Sequence, residues 1–121
     1  MERWLEAEQN FRKAIALQSP LVRQFPDMPY YSLWLATFRI ALADCLIRKD
    51  QTREARAELE EAISALLQQQ ARRPETPPPH DLLALGYSKL SIALRQSGEI
   101  DQAADAAKKA EQERNASRNL Q

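Results

Sequence analysis

The sequence predicts an all-helical fold in which antiparallel helix pairs stack as a short solenoid of about five helices. Three observations support this fold class: the composition favours helix, apolar residues recur at steps of three and four, and the chain repeats itself. Only two Gly occur in 121 residues, and Ala, Leu, Gln, Glu and Arg dominate. Because these residues have high helix propensity and β-branched residues are scarce, a β-sheet is not expected.

Prolines divide the chain into helical stretches. Pro26 and Pro29 mark one break, and a proline-rich segment at 74–79 marks another. Proline removes a backbone donor and moves the preceding residue out of helical geometry, so helices are expected to end at these segments. Pro20 lies inside the first predicted helix and is therefore expected to kink or divide it.

Two short turns divide the stretches between the prolines. In the turn at 49–52, Asp50 and Thr52 are both candidates for capping the next helix. In the turn at 97–99, Gly98 suits the left-handed conformation that often ends a helix. The predicted helices span residues 2–24, 30–48, 52–72, 81–96 and 100–118.

Apolar residues within the predicted helices share one face, as expected for amphipathic helices that bury one side. The stripes predicted to form the core are Leu35, Phe38, Leu42, Cys45 and Leu46, then Ala55, Leu59, Ala62 and Leu66, then Leu83, Tyr87, Leu90 and Leu94. The last helix has only small residues on its predicted inner face, namely Ala103, Ala104, Ala107 and Ala110. We therefore expect it to be a loosely held terminal cap, frayed towards Leu120.

The sequence is similar to itself when one copy is moved along the other until Ala7 aligns with Ala55. We call this displacement the repeat shift. This shift aligns Ala7 with Ala55 and Ala103, Ala14 with Ala62 and Ala110, Pro26 with Pro74, Pro29 with Pro77, Leu35 with Leu83, and Leu42 with Leu90. A period between about 20 and 50 residues is typical of solenoids, in which each helix pair buries its stripe against its neighbours. The predicted organisation is a single domain, 1–121, with a half repeat at 1–25 and full repeats at 30–73 and 81–119.

The spacing of small and large apolar residues resembles a known repeat family. Leu42, Ala43, Leu46, Ala55, Leu59 and Ala62 carry the pattern in the middle copy, and Tyr87, Leu90, Ser91, Leu94, Gly98, Ala103, Ala107 and Ala110 carry it in the last. This pattern is similar to that of the tetratricopeptide repeat (TPR), which implies a right-handed solenoid of helix pairs. The chain departs from that family in its period, which is longer than the usual unit of about 34 residues. It also has Arg39, Ser91 and Ala107 where the family often has Trp, Gly and Phe.

A second resemblance concerns the first proline break. Residues 21–31, which contain Phe25-Pro26-Asp27-Met28-Pro29, are similar to a joint in the repeat arrays that follow the catalytic domain of some large bacterial Ser/Thr protein kinases. Together with the half repeat, this resemblance implies that the chain is a fragment of a longer protein. The sequence has no glycine-rich loop, His-Arg-Asp or Asp-Phe-Gly motif, so no kinase activity is expected from it.

Charge and side-chain inventory argue against several classes of function. Seventeen Lys and Arg balance seventeen Asp and Glu, so nucleic acid is not an expected partner. No membrane span is expected from the apolar runs, and the lone Cys45 indicates a reducing cytoplasm without disulfides. His80 and Cys45 lie on different predicted elements, so neither an enzyme, nor a metal site, nor a cofactor site is predicted. Cys45 is expected in the core and His80 near a helix start.

The TPR resemblance implies a binding surface, because the first helix of each TPR unit lines a concave groove. The predicted groove residues are Thr37, Ile40, Ala41, Asp44, Ile47, Arg48, Leu85, Ser88, Lys89, Ile92, Arg95 and Gln96. This mixture of apolar and charged residues suits a peptide or helix of a partner protein. The family's clamp for a C-terminal carboxylate is not expected, since Ile40 and Asp44 stand where that subgroup has Lys and Asn.

An alternative function remains open at the level of sequence. Trp4, Phe11 and Ile15 make the first helix apolar on more than one side, which predicts a surface for self-association and a homodimer. Under this alternative the chain is a structural or oligomerising spacer within a larger protein, such as a bacterial Ser/Thr kinase.

Overall fold

A computed structural model describes residues 2–119 and shows five α-helices. They are α1 (Glu2–Gln24), α2 (Pro29–Arg48), α3 (Thr52–Arg72), α4 (His80–Gln96) and α5 (Ile100–Asn119). The prediction of an all-helical chain is confirmed for the described residues, which contain no strand. Every helix begins and ends within one residue of its predicted position. The expected fraying towards Leu120 concerns a residue outside the described range.

The first helix is not divided at Pro20, where a kink or a division was expected. α1 continues without interruption to Gln24. Proline at this position removes the hydrogen bond that an amide would donate to the carbonyl of Ala16, four residues earlier. Both Pro20 and Ala16 are exposed, so water can reach this turn of the helix. The lost bond therefore does not leave a backbone group buried without a partner.

The two turns that follow α2 and α4 are related by the repeat shift and share the hydrogen bonds donated by Asp50 and Gln51 in one and by Gly98 and Glu99 in the other. The amide of Gln51 donates to the carbonyl of Leu46 at 2.9 Å, and the amide of Glu99 donates to the carbonyl of Leu94 at 2.9 Å. A bond that reaches back five positions at a helix end is the mark of the Schellman motif, which satisfies carbonyls that the helix leaves free. The repeat in the sequence is therefore also a repeat in backbone geometry.

One residue in each of these turns has a left-handed backbone. The φ angle is +80° at Gly98, as predicted, and +59° at Asp50. Thr52 is the first residue of α3, and no side chain caps that helix through the preceding Gln51. The expectation that Asp50 or Thr52 caps α3 was therefore wrong, because Asp50 is used for the turn itself.

Each helix packs on the next one in the chain, and α2 also packs on α4. The largest fully buried side chains are Leu42, Cys45 and Leu46 from α2 and Leu59 and Leu66 from α3. Each leucine buried in this way contributes about 2 kcal/mol from the removal of apolar surface from water. The predicted stripes form this core, although Phe38 and Leu90 are only half-buried.

Small residues hold α5 against α4. Ala103, Ala106 and Ala110 are buried, and the Ser91 hydroxyl donates to the Ala103 carbonyl at 2.8 Å. Ala104 and Ala107, which were predicted to face inward, are exposed. Alanine occurs on several sides of α5, so the apolar pattern does not decide which side packs. The buried side of α5 is rotated from the predicted one.

Within residues 2–119, one helix is long and apolar enough to cross a membrane by length and composition alone. α2 has 20 residues and a mean hydropathy of 1.2 over its most apolar window. In the structure, 44% of that window is buried inside the protein, where α2 forms the centre of the core. A buried core helix has the same composition as a short span.

Candidate functional site

One surface of the protein is formed by exposed and half-buried residues of α2 and α4. We call it the α2–α4 face; it comprises Tyr30, Trp34, Thr37, Ala41, Asp44 and Arg48 on α2 and Leu85, Lys89 and Ile92 on α4. The residues follow one another at steps of three and four, so each set forms one line along its helix. The Lys89 ammonium lies 2.9 Å from an Asp44 carboxylate oxygen and joins the two lines into one surface.

The α2–α4 face carries large apolar side chains that the core does not need. Tyr30 is 67% exposed and Trp34 is 58% exposed, although both belong to the helix at the centre of the fold. On α4, Leu85 is 45% exposed and Ile92 is 41% exposed. Exposed apolar residues grouped on one surface and bordered by charges are typical of a binding site for another molecule.

Charged side chains hold one another in place at the end of the face near the C-terminus of α2. Asp44 accepts from Lys89 at 2.9 Å and from Arg48 at 3.5 Å. The Arg48 guanidinium lies 4.1 Å from the centre of the Trp4 ring, a cation–π contact worth about 0.5–1 kcal/mol at an exposed site. These contacts fix the positions of the Asp44 carboxylate and the Arg48 guanidinium on the α2–α4 face.

A cavity of about 300 Å³ opens near the other end of the face. We call it the proline cavity; it is lined by Pro29, Tyr30, Leu33, Leu66, Gln69, Gln70, Thr76, Pro77 and Pro79. The Gln70 amide donates to the Thr76 carbonyl at 3.2 Å, and the Thr76 hydroxyl donates to the Arg73 carbonyl at 2.7 Å. These bonds fasten the linker before α4 to the end of α3, so the linker forms one wall of the cavity.

The structure places the predicted groove residues in three different environments. Thr37, Ala41, Asp44, Arg48, Leu85, Lys89 and Ile92 lie on the α2–α4 face. Arg95 and Gln96 are exposed at the end of α4, and half-buried Ser88 accepts a hydrogen bond from Arg114 of α5. The prediction for Ile40 and Ile47 is corrected, because both are core residues, 2% and 8% exposed.

The burial of Ile40 has a clear cause in the packing of α4 on α2. Gly86 lies at the crossing, and a Cβ atom placed there would lie 3.5 Å from the end of Ile40 and 3.2 Å from Ile63. The absence of a side chain at Gly86 lets α4 approach closely enough to cover this side of α2. Ile40 therefore stabilises the helix contact and is not free to meet a partner.

Sequence reasoning missed the two most exposed aromatic residues of the face. Tyr30 and Trp34 are four residues apart at the beginning of α2, and neither was assigned to the groove. Two large aromatic residues at this spacing, outside the predicted core stripe, were a usable signal. The resemblance to the TPR pattern assigned the groove to later turns of α2 instead.

The residues of the predicted self-association surface differ in their exposure. Phe11 and Ile15 are partly buried and pack against the main core, whereas Trp4 is 42% exposed beneath Arg48. The most exposed apolar residue of α1 is Leu17, at 76%. The spacing of Trp4, Phe11 and Ile15 places them on one side of α1, and that side packs against the core at Phe11 and Ile15, whereas Leu17 lies on another side.

The residues considered for chemistry are in ordinary structural positions. Burial raises the pKa of the Cys45 thiol, with a further contribution from Asp44, so the reactive thiolate is disfavoured. His80 is the first residue of α4, as expected, and its Nδ1 lies 2.6 Å from Glu113. No three His, Cys, Asp or Glu side chains within residues 2–119 are grouped so that they could hold a metal ion.

Comparison with protein-family models, with curated proteins and with solved structures gave no match. We therefore classify the protein by its own fold and surface. It is an all-helical protein with a surface of aromatic, aliphatic and paired charged residues on α2 and α4.

Proposed function

We propose that the chain is a non-catalytic TPR-like repeat module that binds a segment of a partner protein on the α2–α4 face. The observation that carries this proposal is the exposure of Tyr30, Trp34, Leu85 and Ile92 on one surface. Exposing these side chains to water is unfavourable unless another molecule covers them. Large apolar and aromatic residues are also the side chains that most often dominate the energy of protein interfaces.

The repeated geometry supports a solenoid arrangement. α2 and α4 end at Arg48 and Gln96, and α3 and α5 begin at Thr52 and Ile100, so the repeat shift relates both pairs of helix limits. Cα atoms of α2 approach those of α4 within 8 Å, whereas no such approach joins α1 to α3 or α3 to α5 in the described part of the chain. This difference is expected if α2 and α4 lie on the inner side of a curved stack.

The chemistry of the face indicates the kind of partner. Two to four apolar side chains, spaced along an amphipathic helix or an extended segment, would cover the aromatic and aliphatic residues. A cationic group on the partner would meet Asp44, and an anionic group would meet Arg48. The balanced charge of the chain supports a protein partner in the cytoplasm over nucleic acid or a membrane surface.

Affinity purification with matched variants tests the proposal. The native domain, Trp34→Ala, Ile92→Arg and the control Leu17→Arg would each be immobilised and exposed to lysate. All three substituted residues are exposed, so the variants are expected to fold like the native domain. We expect a partner that the native domain and Leu17→Arg retain and that both face variants lose. Equal retention by all four proteins would contradict binding on this face.

A further inference from the structure

We propose that the proline cavity is the anchor subsite of the α2–α4 face. It takes one large apolar side chain, of leucine or phenylalanine size, whose neighbouring carbonyl oxygen accepts a hydrogen bond from the Gln69 amide. The proposal rests on the proposed function, because the anchored side chain would belong to the segment bound on that face.

The size and lining of the cavity fit such a side chain. Its volume of about 300 Å³ is at the lower end of the range for ligand pockets and far above that of an ordinary packing defect. Most of the wall is apolar and comes from Pro29, Leu33, Leu66, Pro77 and Pro79. A side chain that enters this space loses its contact with water and gains close contacts on several sides.

The hydrogen bonds of the residues that line the proline cavity indicate which polar group of the bound segment lies beside the anchored side chain. Gln70 and Thr76 are already engaged with backbone carbonyls. Gln69 Nε2 is buried and, among the described residues, has no hydrogen-bond partner. A buried amide without an acceptor is unfavourable, and a rotation of the Gln69 side chain on binding would bring it to the backbone carbonyl of the bound segment. Gln69 also lines a smaller cavity of about 130 Å³, together with Ser32.

The position of the cavity connects it with the rest of the face. Tyr30 lines the cavity and also belongs to the α2–α4 face, with Trp34 one turn further along α2. A segment anchored in the cavity would therefore run over Trp34 towards Asp44 and Arg48. Pro77 and Pro79 have fixed φ angles, so the linker wall is formed before binding and little ordering is needed.

Nuclear magnetic resonance of the isotopically labelled domain tests the proposal with small probes. The probes are N-acetyl-phenylalanine amide and N-acetyl-leucine amide, with N-acetyl-alanine amide as the matched control that keeps the carbonyls. We expect saturable shifts of the Gln69 side-chain amide and of the Tyr30 and Leu33 backbone amides with the two large probes. The alanine probe is expected to bind at least tenfold more weakly.

Two variants with the same added bulk test whether the probes bind in the proline cavity or elsewhere on the protein. Leu33→Trp fills the cavity, whereas Leu17→Trp makes the same substitution at an exposed position of α1, outside the cavity and the α2–α4 face. We expect the first variant to lose the shifts and the second to keep them, with thermal unfolding confirming that both are folded. If Leu33→Trp does not fold, Tyr30→Ala removes an exposed wall and is expected to weaken the large probes several-fold.

The amide contribution is tested by Gln69→Leu, which keeps a side chain of similar size. We expect this variant to bind N-acetyl-phenylalanine amide several-fold more weakly. Unchanged affinity would overturn the role of Gln69. Absence of saturable shifts in the native domain, or an equal response from Leu33→Trp, would overturn the cavity as a site. Shifts confined to Trp34 and Ile92 would also overturn it, but would leave the proposed function standing.

Discussion

Glu8 is the most enclosed charged residue in the described part of the chain, and its partners explain why it can be buried. Its carboxylate accepts from Lys49 at 2.8 Å and from Arg12 at 3.1 Å, and the residue is only 8% exposed. The hydrogen bond from Lys49, together with that from Arg12, lowers the pKa of Glu8, although burial acts in the opposite direction. A carboxylate with a lowered pKa stabilises the fold where it is ionised.

Replacing Glu8 with Gln is therefore expected to destabilise the protein at neutral pH by about 1–2 kcal/mol. Since the pKa of Glu8 is lower in the folded than in the unfolded state, its contribution is fully present above about pH 4.3 and is lost as the pH falls below that value. Urea unfolding of both proteins at pH 7 and at pH 3 measures this. The difference in unfolding free energy should shrink at the lower pH; an unchanged difference would contradict the assignment.

The same position in the next repeat carries the opposite charge. Arg56, which the repeat shift aligns with Glu8, binds Glu60 at 3.0 Å and also contacts Glu99 in the turn before α5. In both repeats one charged residue, Glu8 of α1 or Arg56 of α3, contacts the next turn of its own helix. The same residue also contacts the turn that joins the next two helices. This correspondence was not visible in the apolar pattern, because it involves charged residues of reversed sign.

The α2–α4 face and the core beneath it show which single-residue assignments a sequence can support. Cys45 and the leucines of the core were predicted because their spacing fits one buried side. Ile40 and Ile47 were misplaced because α2 is buried on more than one side, and a helix that is apolar nearly all round has no unique exposed stripe. Which side of α2 remains free depends on where α4 packs, which is a property of the tertiary structure.

The turns are the elements whose chemistry can be compared most directly. Asp50 and Gly98 occupy equivalent places with φ of +59° and +80°, yet only Gly98 is free of the steric cost of a side chain in that region. A Cβ atom at Gly98 would meet nothing within 4 Å, so packing does not obscure the comparison. Substitutions at these two positions therefore measure the free-energy cost of placing a side chain in the left-handed backbone region.

We expect Asp50→Gly to stabilise the protein by up to about 1 kcal/mol and Gly98→Ala to destabilise it by about 1–2 kcal/mol. The double variant should show nearly additive effects, since the two turns are separate. Midpoints and slopes of denaturant unfolding provide the measurement. Effects of the same sign at both positions would mean that the two turns do not share one geometry.

Helix limits were predictable because prolines and one glycine mark them chemically. Pro26, Pro29 and the prolines at 74–79 separate α1 from α2 and α3 from α4. Pro20 does not end α1, because an exposed turn tolerates the missing hydrogen bond. The buried side of α5 was not predictable, because alanines at several positions offer alternatives of nearly equal area and only contact with α4 selects among them.

At the scale of the whole molecule, the repeated helix ends and turns and the exposed apolar residues of the α2–α4 face together support the proposed function. The repeat shift relates helix ends and turn hydrogen bonds, and the contact between α2 and α4 brings their exposed lines onto one surface. The all-helical character followed from the sequence, since composition and periodicity both favour helix. The partner did not, because a surface with seventeen charges of each sign has no dominant field.

The most direct test of the proposed function is to map a bound segment on the labelled domain. A peptide would be selected from a random library on the immobilised native protein and then titrated while backbone amide resonances are recorded. We predict that the largest shifts fall on the exposed residues of α2 and α4, from Tyr30 to Arg48 and from Leu85 to Ile92, and that Ile92→Arg abolishes them. Shifts confined to α1, or equal binding by Ile92→Arg, would contradict the proposal.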